Sequence, residues 1–214
     1  EEALMAESAQ LRPRKEAARI TVMLDTVLGT DRFDRAPVDM INLALEYSRN
    51  TAPNEAIERI DEAPIPGCVG ALVCGDDKPR KWGILYDEGQ SPGRRAFTVG
   101  HEFGHWVLHR DRVDKEEELA DGFYCDDEAI TQRDGLGIEE EADIFAADLL
   151  MPFHDFRNQL PPRDRPDFDW LGKLAKRFGF SLEAAIIRWL EYTETRAILV
   201  VSNECRCLVL RAPN

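Results

Sequence analysis

His101-Glu102-Phe103-Gly104-His105 restricts what this chain can fold into more than any other stretch. On a helix, residues four apart share a face, so the two imidazoles can converge on one divalent cation. Glu102 sits about 100° further round the helix, where it can hold a water on that cation and take its proton. A chain that uses the five residues in this way must bury their helix and bring a further ligand from elsewhere. The competing reading is a surface helix with two spare histidines. The flanks speak against it: Arg94-Arg95-Ala96-Phe97-Thr98-Val99-Gly100 leads in with an apolar side, and Trp106-Val107-Leu108 continues it without a proline. Gly100 and Gly104 leave room for another backbone to come close.

The pattern is the HExxH arrangement of zinc metallopeptidases. Zinc in such a site takes a third protein ligand and keeps a fourth position for water. A metzincin-type extension would need a glycine at 108 and a ligand at 111, and the chain has Leu108 and Asp111. His109, roughly 80° off the line of His101, is better read as a helix-end histidine in hydrogen bonds. A second helical pattern runs from Ile138 to Pro152, with Ala142, Phe145, Ala146, Leu149 and Leu150 on one face. Glu139 and Asp143 lie four apart at its edge, so one can bind a metal while the other hydrogen-bonds a ligand histidine. Equally, Glu139 to Glu141 are acids in a helix first turn, where negative charge suits the dipole.

The run Arg95-Ala96-Phe97-Thr98-Val99-Gly100-His101-Glu102-Phe103-Gly104-His105, followed by Glu139-x-x-Ala142-Asp143-x-Phe145-Ala146-Ala147-x-Leu149-Leu150-Met151-Pro152, resembles the ImmA/IrrE family of metallopeptidases. Leu108-His109 matches too, and the resemblance covers roughly residues 60 to 190. Gly100 stands where the family has Ala, and Asp143 where it has Asn. The resemblance implies His101, His105 and Glu139 as metal ligands and Glu102 as general base, with Glu141 the runner-up ligand. Asp143 is implied as the hydrogen-bond partner of a ligand histidine, its extra charge altering the site's charge or metal preference.

Composition and charge narrow the setting. The chain has 214 residues, 43% hydrophobic and 32% charged, which suits a globular domain with a proper core. No run approaches a membrane span and none has the form of a secretory signal. The five cysteines (Cys68, Cys74, Cys125, Cys205, Cys207) show no disulfide spacing, so a reducing, cytoplasmic setting is expected. Cys205 and Cys207 would share one face of a strand, where packing accounts for them. A net charge of −14 argues against direct nucleic-acid binding and suits a basic protein partner. Much of the acid lies between Glu116 and Asp143, read as a solvated loop that could also border the metal.

The remaining patterns complete an α+β expectation: a zincin-like, mostly helical catalytic domain with a small β-sheet, then a helix-turn-helix-like segment and a C-terminal β-hairpin. Residues 1 to about 28 read as an amphipathic helix stopped by Gly29, and a second helix begins near Pro37. Cys68–Cys74 and Lys81–Tyr86 read as strands, and a sheet edge beside the motif helix can take an extended substrate. Trp170 to Leu190 reads as helix, glycine turn, Ser181-capped helix. Its second helix offers Glu183, Arg188 and Glu191 rather than base-reading side chains, so packing is the expected role. Ala197–Val201 and Arg206–Leu210 form the hairpin. The expected domains are 1–155, the N-terminal helices with the catalytic part, and 156–214, the helical pair and hairpin.

The mechanism this implies is metal-assisted hydrolysis. A divalent ion, zinc or else manganese, lowers the pKa of its water towards about 7. Glu102 takes that water's proton and later returns one to the leaving amine. By resemblance the substrate is a helix-turn-helix transcriptional repressor in phage, mobile-element or stress regulation. The alternative is a non-catalytic, metal-containing binding regulator that sequesters a repressor or toxin. A fourth protein ligand such as His154 or Cys125 would favour the binding regulator, and a water position the enzyme.

Overall fold

The computed structural model describes residues 2–76, 78–125, 137–202 and 207–212. The fold is α+β. Contacts divide the chain into two compact units, residues 1–30 with 38–150 and residues 31–37 with 151–214. Among the described residues no helix is long and apolar enough to cross a membrane.

The first unit begins with helix α1 (Glu2–Leu28), which ends where Gly29 turns to φ 91° and its N–H reaches the Asp25 carbonyl. Only glycine adopts that backbone freely. Helix α3 (Met40–Thr51) starts three residues later than Pro37 suggests, because the Asp39 side chain accepts from the Asn42 N–H and sets the first turn. Strands β1 (Ile57–Glu62), β2 (Gly70–Cys74), β3 (Trp82–Tyr86) and β4 (Gly122–Cys125) form one sheet in the order β1-β3-β2-β4. β1 runs parallel to β3, whereas β2 is antiparallel to both β3 and β4. The register sets Leu72 opposite Ile84 on one side and Phe123 on the other, and Gly70 opposite Cys125.

Part of the acidic connection is therefore a strand, not a solvated loop. β4 begins at Gly122, whose φ is 117° and where a Cβ would stand 2.0 Å from the Leu72 carbonyl oxygen. Residues 126–136 of that connection lie outside the described residues, as do Cys205 and the tip of the C-terminal hairpin.

Helix α4 (Pro92–His109) is capped by Ser91, which accepts from the Arg94 N–H, and Pro92 sits in its first turn. Its buried residues run unbroken from Thr98 to Trp106, which is what a helix covered by the sheet on one side and helix α5 (Ile138–Leu150) on another requires. The two helices approach closely through glycine. A methyl group at Gly100 would stand 3.4 Å from the Ala146 Cβ, and one at Gly104 3.3 Å from the Ala142 backbone. Around this seam Phe103 stacks on Trp106 and meets Phe145 edge-on at 5.7 Å. All three are buried, and each contributes about 1.5–3 kcal/mol of burial.

The second unit holds α2 (Arg32–Arg35), α6 (Phe153–Gln159), α7 (Phe168–Phe178), α8 (Leu182–Leu190) and the hairpin β5 (Ile198–Ser202) with β6 (Cys207–Arg211). Asp167 caps α7 and Ser181 caps α8, each accepting from the N–H three residues on. Arg188, the single cation of α8, is turned inward: it donates to the Met151 carbonyl and lies 3.5 Å from the centre of the Phe153 ring. A buried guanidinium so engaged packs the unit together and does not read bases.

Candidate metal centre

One turn of α4 presents His101 and His105 towards the first turn of α5 and the last residue of β4. The two Nε2 atoms are 3.0 Å apart. Glu139 places Oε2 3.1 Å from His101 Nε2 and Oε1 3.4 Å from His105 Nε2. Cys125 Sγ lies 3.5 Å from His105 Nε2. One donor atom from each of His101, His105, Cys125 and Glu139 lies within 4.8 Å of all the others.

The outer faces of the histidines are also fixed. His101 Nδ1 is 2.8 Å from Asp143 Oδ1, one α5 turn beyond Glu139. His105 Nδ1 is 3.0 Å from His109 Nδ1, and His109 Nε2 is 3.1 Å from Glu141 Oε2. Phe123 of β4 stacks on the His105 ring at 4.7 Å. Partners on Nδ1 turn the Nε2 atoms of His101 and His105 towards Glu139 and each other, which is how such contacts orient metal-binding imidazoles.

This donor set fits a divalent transition metal. Tetrahedral zinc with bonds of about 2.0–2.3 Å has donors about 3.3–3.8 Å apart; the two histidines and Glu139 are 3.0–3.4 Å apart, Cys125 is 3.5 Å from His105, and all four donors lie within 4.8 Å of one another. Two Nε2 atoms turned towards each other within hydrogen-bond distance share a single proton in the metal-free protein, and a cation between them would engage both lone pairs.

Burial shapes the charges. It opposes a charge on His101, but the hydrogen bonds to Asp143 and Glu139 and the negative Glu102 outweigh it and raise the group to about 10. His105, equally buried and beside His101, is lowered to about 3. Burial pushes Glu139 up, yet its hydrogen bonds to the two histidines hold it well below the usual carboxylate range. Cys125 is pushed far up by burial and by the neighbouring Glu102 and Glu139 carboxylates.

Glu102 differs from all of these. It is wholly buried, and neither of its oxygens has a partner at full hydrogen-bond geometry among the described residues, although the Cys125 thiol and the Leu72 backbone lie near enough to favour its charge. Burial raises it to about 7, with the charge of His101 holding it back. Its niche is cut by Gly70, where any Cβ would stand 2.6 Å from Glu102 Oε1.

Residues 58–190 match the model of the M78 peptidase family, described as an IrrE N-terminal-like domain. The chain belongs to the M78 peptidase family. A solved structure described as a Mycobacterium tuberculosis transcriptional regulator resembles it with a TM-score of 0.54 at 17% identity. The match covers 97% of this chain and 56% of that one, so this chain spans little more than half of its relative's length. At that identity the likeness shows the fold. No curated protein matches the sequence.

In this M78 domain the expected residues gather unequally. His101, His105 and Glu139 face one point, with Asp143 behind His101, whereas Glu141 turns to His109 and away from that point. His154 belongs to the other unit. Gly70 and Phe123 carry no sequence signal that marks them for the site. Their places depend on the pairing of β2 with β4 across roughly fifty residues of chain.

Proposed function

We propose that this M78 domain is a metal-dependent endopeptidase in which His101, His105 and Glu139 hold a divalent ion, zinc or manganese, and Glu102 is the general base. The observation that carries the reading is the wholly buried Glu102 carboxylate beside the donor cluster. Burying a carboxylate without a strong partner costs a fold several kcal/mol, a cost that a purely structural centre has no need to bear. When bound, the ion polarises the scissile carbonyl and acidifies water. Glu102 takes the proton of the attacking water and delivers one to the leaving amine. Asp143 and the His109–Glu141 pair hold the histidine rings in register.

The substrate we propose is a helix-turn-helix transcriptional repressor. Family resemblance supports this, and the net charge of −14 suits a basic, DNA-binding protein. The second reading is a binding regulator that sequesters its partner. The thiol of Cys125 favours it, because a fourth protein donor is what closed structural centres have.

A capture experiment in native lysate separates the readings. Metal-loaded Glu102→Gln holding a DNA-binding protein intact, while wild type yields defined fragments of it, is the outcome expected of a peptidase. The same partner held intact by wild type, Glu102→Gln and Cys125→Ala alike would make the domain a binding regulator.

A further inference from the structure

Cys125 is the last residue of β4, and its register partner is Gly70, the residue whose missing side chain makes room for Glu102. The thiol and the base therefore occupy one niche. Sγ is buried, 3.5 Å from His105 Nε2, and within 4.8 Å of the His101 and Glu139 donors. We propose that Cys125, as thiolate, is the fourth ligand of the ion in the resting protein, and that the centre is latent until Cys125 withdraws. The latency rests on the peptidase reading; the ligation does not.

Three observations carry it. First, the donor count is that of a closed centre: two imidazoles, a carboxylate and a thiol, with no fourth position left over. Second, the thiol shares a niche with the base: its register partner Gly70 is where a Cβ would stand 2.6 Å from Glu102 Oε1. A dication deprotonates a coordinating thiol outright. Third, β4 is short and, among the described residues, pairs only with β2. Cys125 is held at the strand end by its carbonyl, which accepts from the Val69 N–H. A strand bonded along one edge can release its last residue without opening the sheet. Sulfur ligation also selects the metal, since thiolate suits zinc and discriminates against manganese.

Cobalt(II) makes the ligation visible. One equivalent of cobalt in the full chain should give a thiolate-to-cobalt charge-transfer band in the near ultraviolet, in wild type and in Glu102→Gln alike. Cys125→Ser and Cys125→Ala should lose the band and bind zinc at least about tenfold more weakly in chelator competition. Unchanged far-ultraviolet circular dichroism of either variant shows that the fold survives. On the captured substrate, both cysteine variants should cleave severalfold faster than wild type at saturating zinc. A cobalt-loaded wild type without the band overturns the ligation, and the peptidase reading stands as long as Glu102→Gln abolishes cleavage. A band in wild type with no gain of cleavage in Cys125→Ala overturns the latency. Cleavage by Glu102→Gln at the wild-type rate overturns the peptidase reading and leaves the ligation standing.

Discussion

Gly70 on β2 and Glu102 on α4 interlock: a methyl group at position 70 would meet the Glu102 carboxylate oxygen and the Thr98 methyl, each at 2.6 Å. The sheet thus fixes the base by leaving a side chain out. Gly70→Ala should cost about 1–3 kcal/mol by overpacking. It should cost less in a Glu102→Ala background, where one of the two clashes is gone, so the pair should be coupled in a double-mutant cycle. Urea denaturation of the four proteins measures this, and additive costs would mean that the two residues do not touch.

Glu102 also sets a pH dependence. In the metal-free protein its carboxyl is raised to about 7 from an ordinary 4.5. A raised carboxyl favours the protonated, folded state, so the penalty is absent below about pH 4.5 and complete above about pH 7. The difference corresponds to on the order of 3 kcal/mol. Metal-free Glu102→Gln should gain stability relative to wild type as pH rises through that window. His101, His105 and Glu139 titrate in both proteins, so subtracting the two curves removes most of their contribution. A flat difference curve from denaturant titrations at successive pH values would show that Glu102 is solvated or paired.

Glu139 and Glu141 are two residues apart yet should behave differently. Glu139 contacts both Nε2 atoms, whereas Glu141 reaches His105 only through His109. Glu141→Ala should weaken zinc binding by up to about tenfold, at or below the low end of what losing a partner directly behind a ligand costs. Glu139→Ala should weaken it further and lower the bound stoichiometry. Chelator competition reads both. A stoichiometric, tightly held ion in Glu139→Ala together with metal loss in Glu141→Ala would exchange their roles.

The parts of this fold legible in the sequence are those whose signals are local. α4 and α5 announce themselves by apolar residues at helical spacing, and the turn between α7 and α8 by Gly179 and Ser181. β1 was not legible, because Glu58, Arg59, Asp61 and Glu62 make it look like a solvated loop, with Ile57 alone fully buried. β4 was hidden for a related reason: Gly122-Phe123-Tyr124-Cys125 is four residues inside an acidic run. Its strand character comes from β2, not from its own composition. The same distinction divides the site. His101, Glu102 and His105 stand together in one motif, and Glu139 and Asp143 share a helix edge. Cys125 could be named as a fourth donor, but only the β2–β4 register sets it beside His105, just as only tertiary packing sets Gly70 against Glu102.

The α4–α5 seam contains a further contrast, between two glycines one helical turn apart. At Gly100 an added methyl would be 3.2 Å from Leu150 Cδ1, the free end of a flexible side chain, and 3.4 Å from the Ala146 Cβ. Small adjustments accommodate it, and alanine in a helix interior is favoured over glycine by about 1 kcal/mol. Gly100→Ala should therefore stabilise the domain by about 0.5–1 kcal/mol. At Gly104 the methyl would stand 3.0 Å from Phe145 Cδ1 and 3.3 Å from the Ala142 Cα and carbonyl oxygen. A packed ring and a backbone cannot yield in the same way, so overpacking of about 1–3 kcal/mol exceeds the helix gain. Gly104→Ala should destabilise the domain by up to about 2 kcal/mol. Because the seam positions Glu139 and Asp143 against His101, it should also weaken zinc binding, while Gly100→Ala leaves it unchanged. Urea midpoints and chelator competition on the two variants decide the matter. Equal stabilisation by both alanines would show that α4 and α5 are not held as closely as the glycines permit.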